Sequence, residues 1–204
     1  MNTMGSRLAF MGRRPSHRLA GHMIQEKASA SDSRELALLA RAFAPALMQG
    51  DLYELLAYLN SCTAHRFSGV YRFEPGWVVS VTLFDREDPE VRIGANVKMK
   101  ESYCWLTGLG DSYAIEDATC DGRLDGHAAR EAVRSYLAVL LRDKSRAPWG
   151  TLCHFDFAPR HADAHAIAQL ELFRPLVEEM FVRETRAQWN PDAPSLERAV
   201  PLPS

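Results

Sequence analysis

The chain has no surplus of positive charge, no long apolar run and no closely spaced cysteine pair, and each absence removes a class of function. In 204 residues, 24 Lys and Arg stand against 26 Asp and Glu, a net charge of −2. Nucleic acid as a principal partner needs many cationic side chains to displace counterions from phosphates, so it is excluded. The longest apolar run in the core, residues 136–141, falls far short of the roughly 20 residues of a bilayer crossing, so no membrane partner is expected. Cys62, Cys104, Cys120 and Cys153 nowhere form a C-x-x-C pair, which removes zinc knuckles and thioredoxin-like pairs and leaves reduced thiols in a cytoplasmic protein as the expectation. No metal site and no cofactor is assigned. Gly and Pro are modest at 12 and 11, and a hydrophobic content of 47% with 25% charged residues excludes collagen, wholesale disorder and a disulfide scaffold.

Residues 1–22 carry Arg7, Arg13, Arg14 and Arg18 without an acid before Glu26. That pattern fits an organellar targeting segment, a disordered tail, or a start upstream of a true one at Met23. Residues 1–30 are taken as a basic tail, 31–184 as one domain and 185–204, with four prolines, as a second tail.

The domain opens with helical spacing. Leu36, Leu39, Phe43 and Leu47 fall on one face, with Pro45 placed to kink or end that helix. Asp51 and Glu54 have capping-box spacing, and Leu52, Leu55, Leu56 and Leu59 form the stripe of a second helix. The pattern then becomes extended. Residues 70–73 and 77–84 predict a hairpin across Glu74-Pro75-Gly76, a turn that uses the fixed φ of proline and the freedom of glycine. Short strands are predicted at 97–99 and 113–115, a short helix at 102–109 and one helical segment at 127–134. A second hairpin pairs 134–142 with 149–156, and a long helix spans 162–183 with Ile167, Leu170, Phe173, Val177 and Met180 as its seam and Pro175 bending it. Hairpins between long amphipathic helices imply an α+β layer with an antiparallel sheet of about six strands. The terminal helices would cover one face and the irregular stretch 85–134 would roof the other, leaving room for a cavity.

Specific landmarks sharpen this. Phe67-Ser68-Gly69-Val70-Tyr71-Arg72-Phe73 is followed by Leu83-Phe84-Asp85-Arg86, Ser102-Tyr103-Cys104, and Ile115-Glu116-Asp117-Ala118 with Asp121 and Arg123. Tyr136-Leu137-Ala138-Val139-Leu140-Leu141 and Trp149-Gly150-Thr151-Leu152-Cys153-His154-Phe155-Asp156 complete the set. In this order, over about residues 35–183, the chain resembles the GAF domain. The resemblance implies a stand-alone small-molecule or redox sensor whose ligand sits between sheet and roof, with a homodimer through the terminal helices. Free methionine-(R)-sulfoxide reductases are single GAF domains with a Gly-His-x-x-Cys-Asp loop. Here that loop falls on Gly126-His127-Ala128-Ala129-Arg130-Glu131, with Arg130 in the place of the attacking cysteine. An enzyme of this kind would have to use Cys104 and Cys120. The cyclic-nucleotide pattern is absent, and Cys153-His154 has the letters of a bilin attachment on a strand where side chains alternate. A ligand-free dimerisation module is the remaining alternative.

The expected ligand-binding residues are Tyr71, Cys104, Trp105, Tyr113, His127 and Tyr136. The aromatic ones combine an apolar body with a polar tip, Cys104 follows Tyr103 in the roof, and His127 lies in an acidic loop. Cys153 is expected to be core, on one strand face with Trp149, Thr151 and Phe155. Cys120, flanked by Asp117 and Asp121, is disfavoured as a thiolate. The acids of that loop are expected to pair with Arg123, Arg130 or Arg134 rather than to hold a metal. No catalytic residue is assigned, and the small-molecule partner is unidentified.

Overall fold

Two hairpins form the middle of the sheet. β1 (Phe67–Glu74) turns into β2 (Trp77–Asp85) through Pro75 and Gly76, where Gly76 has a φ of 80° that a Cβ would strain. β5 (Ser135–Arg142) and β6 (Pro148–Asp156) form the other hairpin, and β6 lies antiparallel against β1. Two short strands, β3 (Val97–Lys98) and β4 (Ser112–Ile115), close the edges, so the six-stranded order is β3-β2-β1-β6-β5-β4. This is the expected α+β arrangement. The computed structural model describes the backbone of residues 52–184 with side chains to 180, and residues 34, 38, 41 and 42, which are helical. The stripe Leu36, Leu39, Phe43 and Leu47, the Asp51 end of the capping box and the tails lie outside the described residues.

Helices α1 (Leu52–Ser61) and α3 (Ala164–Glu184) cover one sheet face. Their stripes do what the 3-4 spacing predicts. Leu55, Leu56, Leu59, Leu170, Phe173 and Val177 are fully buried against Val70, Leu137, Val139, Leu141 and Leu152. α3 runs through Pro175, which lacks the N–H that would bond the carbonyl four residues back. Beside this apolar core lies a buried polar cluster. The Asn60 amide donates to the carbonyls of His65 and Arg66 and to Ser68 Oγ, at 3.1, 3.1 and 2.9 Å, and Ser68 Oγ meets His154 Nδ1 at 2.7 Å.

The opposite face carries the roof. It holds one short helix, α2 (Tyr103–Thr107), and three 3-10 turns, at Met99–Glu101, Ala118–Cys120 and Gly122–Leu124. Residues 127–134 are not the expected helix but a run of turns, closed by bonds from Arg130 N–H to the His127 carbonyl and from Ala132 and Val133 N–H to the Ala129 carbonyl. Their side chains do the holding: the Arg130 guanidinium donates to the carbonyls of Ala118 and Thr119, and Arg134 clasps Asp117 at 2.9–3.0 Å. The acids of the loop are paired with arginines, Asp117 with Arg134, Asp121 with Arg123 and Asp125 with Arg130. Asp117 and Asp121 also cap the two 3-10 turns that follow them. Among the described residues no helix is long and apolar enough to cross a membrane.

Candidate functional site

Between sheet and roof lies a cavity of about 70 Å³. At roughly 10–15 Å³ for one water, it has room for a guest of a few heavy atoms. The sheet supplies its floor through the side chains that alternate to that face: Tyr71 on β1, Val78 and Leu83 on β2, Tyr136 on β5, and Cys153 and Phe155 on β6. The roof supplies Ser102, Tyr103 and Cys104, with Ala129 and Val133 from the turns, while Ala95, Val97 and exposed Glu101 form a rim toward solvent. Gly94 is required by close approach, because a Cβ there would collide with the Tyr71 hydroxyl.

Polar atoms are few and placed on the Cys104 side. Cys104 Sγ accepts from Tyr136 OH at 3.3 Å and from Thr151 Oγ1 at 3.2 Å. Ser102 caps α2 by accepting the Cys104 N–H at 3.1 Å. A hydrogen bond from Cys153, with those from Ser102, Thr151 and Tyr136, draws the Cys104 thiol below its ordinary value against the cost of burial. Burial and the neighbouring Cys104 push Cys153 and Tyr136 well up, so both stay protonated. Tyr71 is likewise raised, first by burial. The Tyr103 hydroxyl is buried and has no partner, an arrangement that costs about 1–3 kcal/mol unless a bound group satisfies it.

Of the six expected residues, Tyr71, Cys104 and Tyr136 line this cavity. His127 stands behind it, its ring 4.7 Å from that of Tyr103; its Nδ1 accepts the Ala129 N–H, its Nε2 is unpartnered, and burial lowers its pKa. Trp105 is 45% exposed on the outer side of α2. Tyr113 packs against the roof core from β4 under the Arg123 guanidinium, 5.0 Å from its ring. Neither is among the lining residues.

Cys153, expected to be plain core, faces the cavity beside Cys104. The strand parity of Thr151, Cys153 and Phe155 pointed to this face. Trp149 departs from that parity and packs on the helix side, because the β5–β6 register shifts between Leu141 and Arg142. His154 points away from Cys153, into the polar cluster under α1. Cys120 does not share the cavity. It lies in an exposed groove with Glu116, Asp121 and Arg123, its thiol donating to Asp117 at 3.5 Å. The pair Cys104 and Cys120 is therefore not assembled; the pair that is assembled is Cys104 and Cys153. Tyr103 and Ser102 were also missed as lining, and only the helix-cap position of Ser102 signalled them.

No protein-family model matches the chain, and no curated protein matches it. Solved structures do. The GAF domain of an Acinetobacter phosphoenolpyruvate-protein phosphotransferase is 14% identical with a TM-score of 0.59, covering 81% of this chain and 100% of that one. Free methionine-R-sulfoxide reductase from Neisseria meningitidis is 15% identical with a TM-score of 0.57, covering 79% and 96%. The phycoerythrobilin-bound GAF domain of a cyanobacterial phytochrome is 12% identical with a TM-score of 0.54, covering 78% and 98%. One fold thus serves a domain of a phosphotransferase, an enzyme and a pigment holder at similar likeness, and fold alone chooses none of them. With its six-stranded antiparallel sheet, helices on one face and a roofed cavity on the other, the chain has a GAF-like fold.

Proposed function

We propose that the chain is a sensor domain that binds a small molecule in the cavity between the sheet and the roof. The observation that carries this reading is the Tyr103 hydroxyl, buried without a partner in the lining of an otherwise mainly apolar hollow. A guest with a short apolar body and one hydrogen-bond acceptor would satisfy it and displace little. Binding would favour one arrangement of the roof over another, and a ligand shifts such an equilibrium only by its differential affinity. The roof suits that role because it is built from turns and arginine clasps rather than from long elements. Dimerisation through the terminal helices belongs to the same reading. The described stripe of α3 faces its own sheet, so a second copy would meet the outer sides of those helices or residues outside 52–184.

Native mass spectrometry of the freshly purified full chain, alone and with amino acids and short carboxylic acids as probes, tests this. The expected result is a one-to-one adduct, with slower hydrogen exchange over residues 86–134. Ala129→Leu, which fills the cavity from the roof, is expected to abolish the adduct. Unchanged exchange at saturating probe, or an adduct indifferent to Ala129→Leu, would overturn the cavity as the binding site. Turnover of free methionine sulfoxide in the presence of a thiol reductant would replace sensing with catalysis.

A further inference from the structure

We propose that Cys104 and Cys153 are a redox-active pair that a small hydroperoxide converts to a disulfide, fastening α2 to β6 and shutting the cavity. Both side chains are buried, at 4% and 0% exposure, and both line the same hollow. They come from opposite layers, Cys104 from the roof and Cys153 from the floor. Thr151, two residues before Cys153 on β6, already reaches across the gap between the layers to Cys104. The hydroxyls of Tyr136 and Thr151 converge on Cys104 Sγ at 3.3 and 3.2 Å. Converging donors of this kind stabilise a thiolate, the reactive form of the thiol. Cys153, which donates to the Gly69 carbonyl at 3.5 Å and remains protonated, is placed as the resolving partner. The other two cysteines lie elsewhere: Cys120 is exposed on Asp117, and Cys62 is half-buried beside Ser61.

The chemistry balances with the hydroperoxide as sole oxidant. Cys104 thiolate attacks one peroxide oxygen; the S–O bond forms, the O–O bond breaks, and the departing hydroxide (alkoxide from an organic peroxide) takes up a proton. Cys104 is then a sulfenic acid. The Cys153 sulfur attacks it, the S–S bond forms, and the hydroxyl leaves with the Cys153 proton as water. The sulfurs must close to about 2.0 Å, drawing α2 down onto the floor. The rim formed by Ala95, Val97 and Glu101 is the side from which a peroxide would enter, and it closes as the roof descends. The biological meaning rests on the cavity being the sensor's ligand site. The disulfide itself is read in ligand-free protein, so its failure and the failure of ligand binding are separate results.

The full chain carrying Cys62→Ser and Cys120→Ser retains only this pair. Reduced, given equimolar hydrogen peroxide, blocked with N-ethylmaleimide and mapped without reductant, it is expected to yield a peptide cross-linked between Cys104 and Cys153. Dithiothreitol should reverse the link, and hydrogen exchange over residues 99–107 should slow while it is present. Adding Cys153→Ser should strand the reaction at a dimedone-reactive sulfenic acid on Cys104, and adding Cys104→Ser should leave Cys153 unlabelled. If the folded protein emerges with both thiols alkylatable only after denaturation, the proposal fails. It also fails if the wild-type chain links Cys104 to Cys62 or Cys120 instead. The first arm substitutes neither member of the pair, so a variant that misfolds does not rescue the idea.

Discussion

At the scale of single residues, Asn60 shows how a small polar group organises a region larger than itself. It is 1% exposed at the end of α1. Its amide nitrogen serves two backbone carbonyls of the chain entering β1, and its carbonyl oxygen accepts from Arg86 Nε at 2.9 Å. Because the amide also donates to Ser68 Oγ, the serine hydroxyl proton is left for His154 Nδ1. Asn60→Ala would orphan several buried acceptors at once, each worth about 1–3 kcal/mol. We expect a loss of about 2–4 kcal/mol in a urea titration, and Asn60→Asp, which exchanges donors for acceptors, to rescue little of it. A loss below about 0.5 kcal/mol would show that the cluster is ornamental. None of this was visible in the sequence. The predicted strand begins at Val70, whereas β1 begins at Phe67 and buries Ser68.

At the scale of elements, periodicity was a good guide wherever an element buries one continuous face. Leu170, Phe173 and Val177 were legible because a helix pressed on a sheet must repeat apolar side chains every three or four residues. Phe173→Ala is expected to cost about 3–5 kcal/mol, since the cavity left between α3 and the sheet cannot collapse fully. Leu109→Ala, at a site 71% exposed, should stay within about 0.5 kcal/mol. Equal effects in chemical denaturation would mean that α3 is not seated as described. The roof was poorly legible for the converse reason. Its 3-10 turns and the run at 127–134 are fixed by carboxylate caps and by guanidinium groups reaching carbonyls, and such partners leave no period. The candidate site inherits this difference. Tyr71, Cys104 and Tyr136 were found from residue type and place, but Tyr103 was missed beside Trp105 because two neighbours on a short helix face opposite ways. Cys153 was discounted because a buried thiol on a strand resembles any small core residue.

For the whole molecule, two buried imidazoles set the response to acid. Burial pushes His65 down to about 4 and His154 down to about 3, against ordinary values of 6.5. Asp156 opposes the shift of His65, whereas Arg160 and Arg86 reinforce it; His65 and Arg86 reinforce that of His154. The rings lie 6.0 Å apart, and both Nε2 atoms are unpartnered. Since the unfolded chain takes up protons at higher pH than the folded one, their contribution is complete above about pH 6.5. It is lost as pH falls toward 4 and then 3. The loss should be on the order of a few kcal/mol, read as a falling urea midpoint between pH 6.5 and 4. His154→Leu should flatten that slope, and a slope unchanged by it would remove His154 from the account.

The edges of the sheet have a further consequence. β3 offers two residues and β4 four, while the strands between them run to eight or nine. Among the described residues the sheet thus ends in very short strands, one of the usual protections against strand-to-strand polymerisation. Losing the segment from Pro148 onward would strip β6 from between β1 and β5 and bare two long apolar margins at once. A released chain that ends before Pro148 would therefore carry two sticky borders where the whole one has none between β1 and β5.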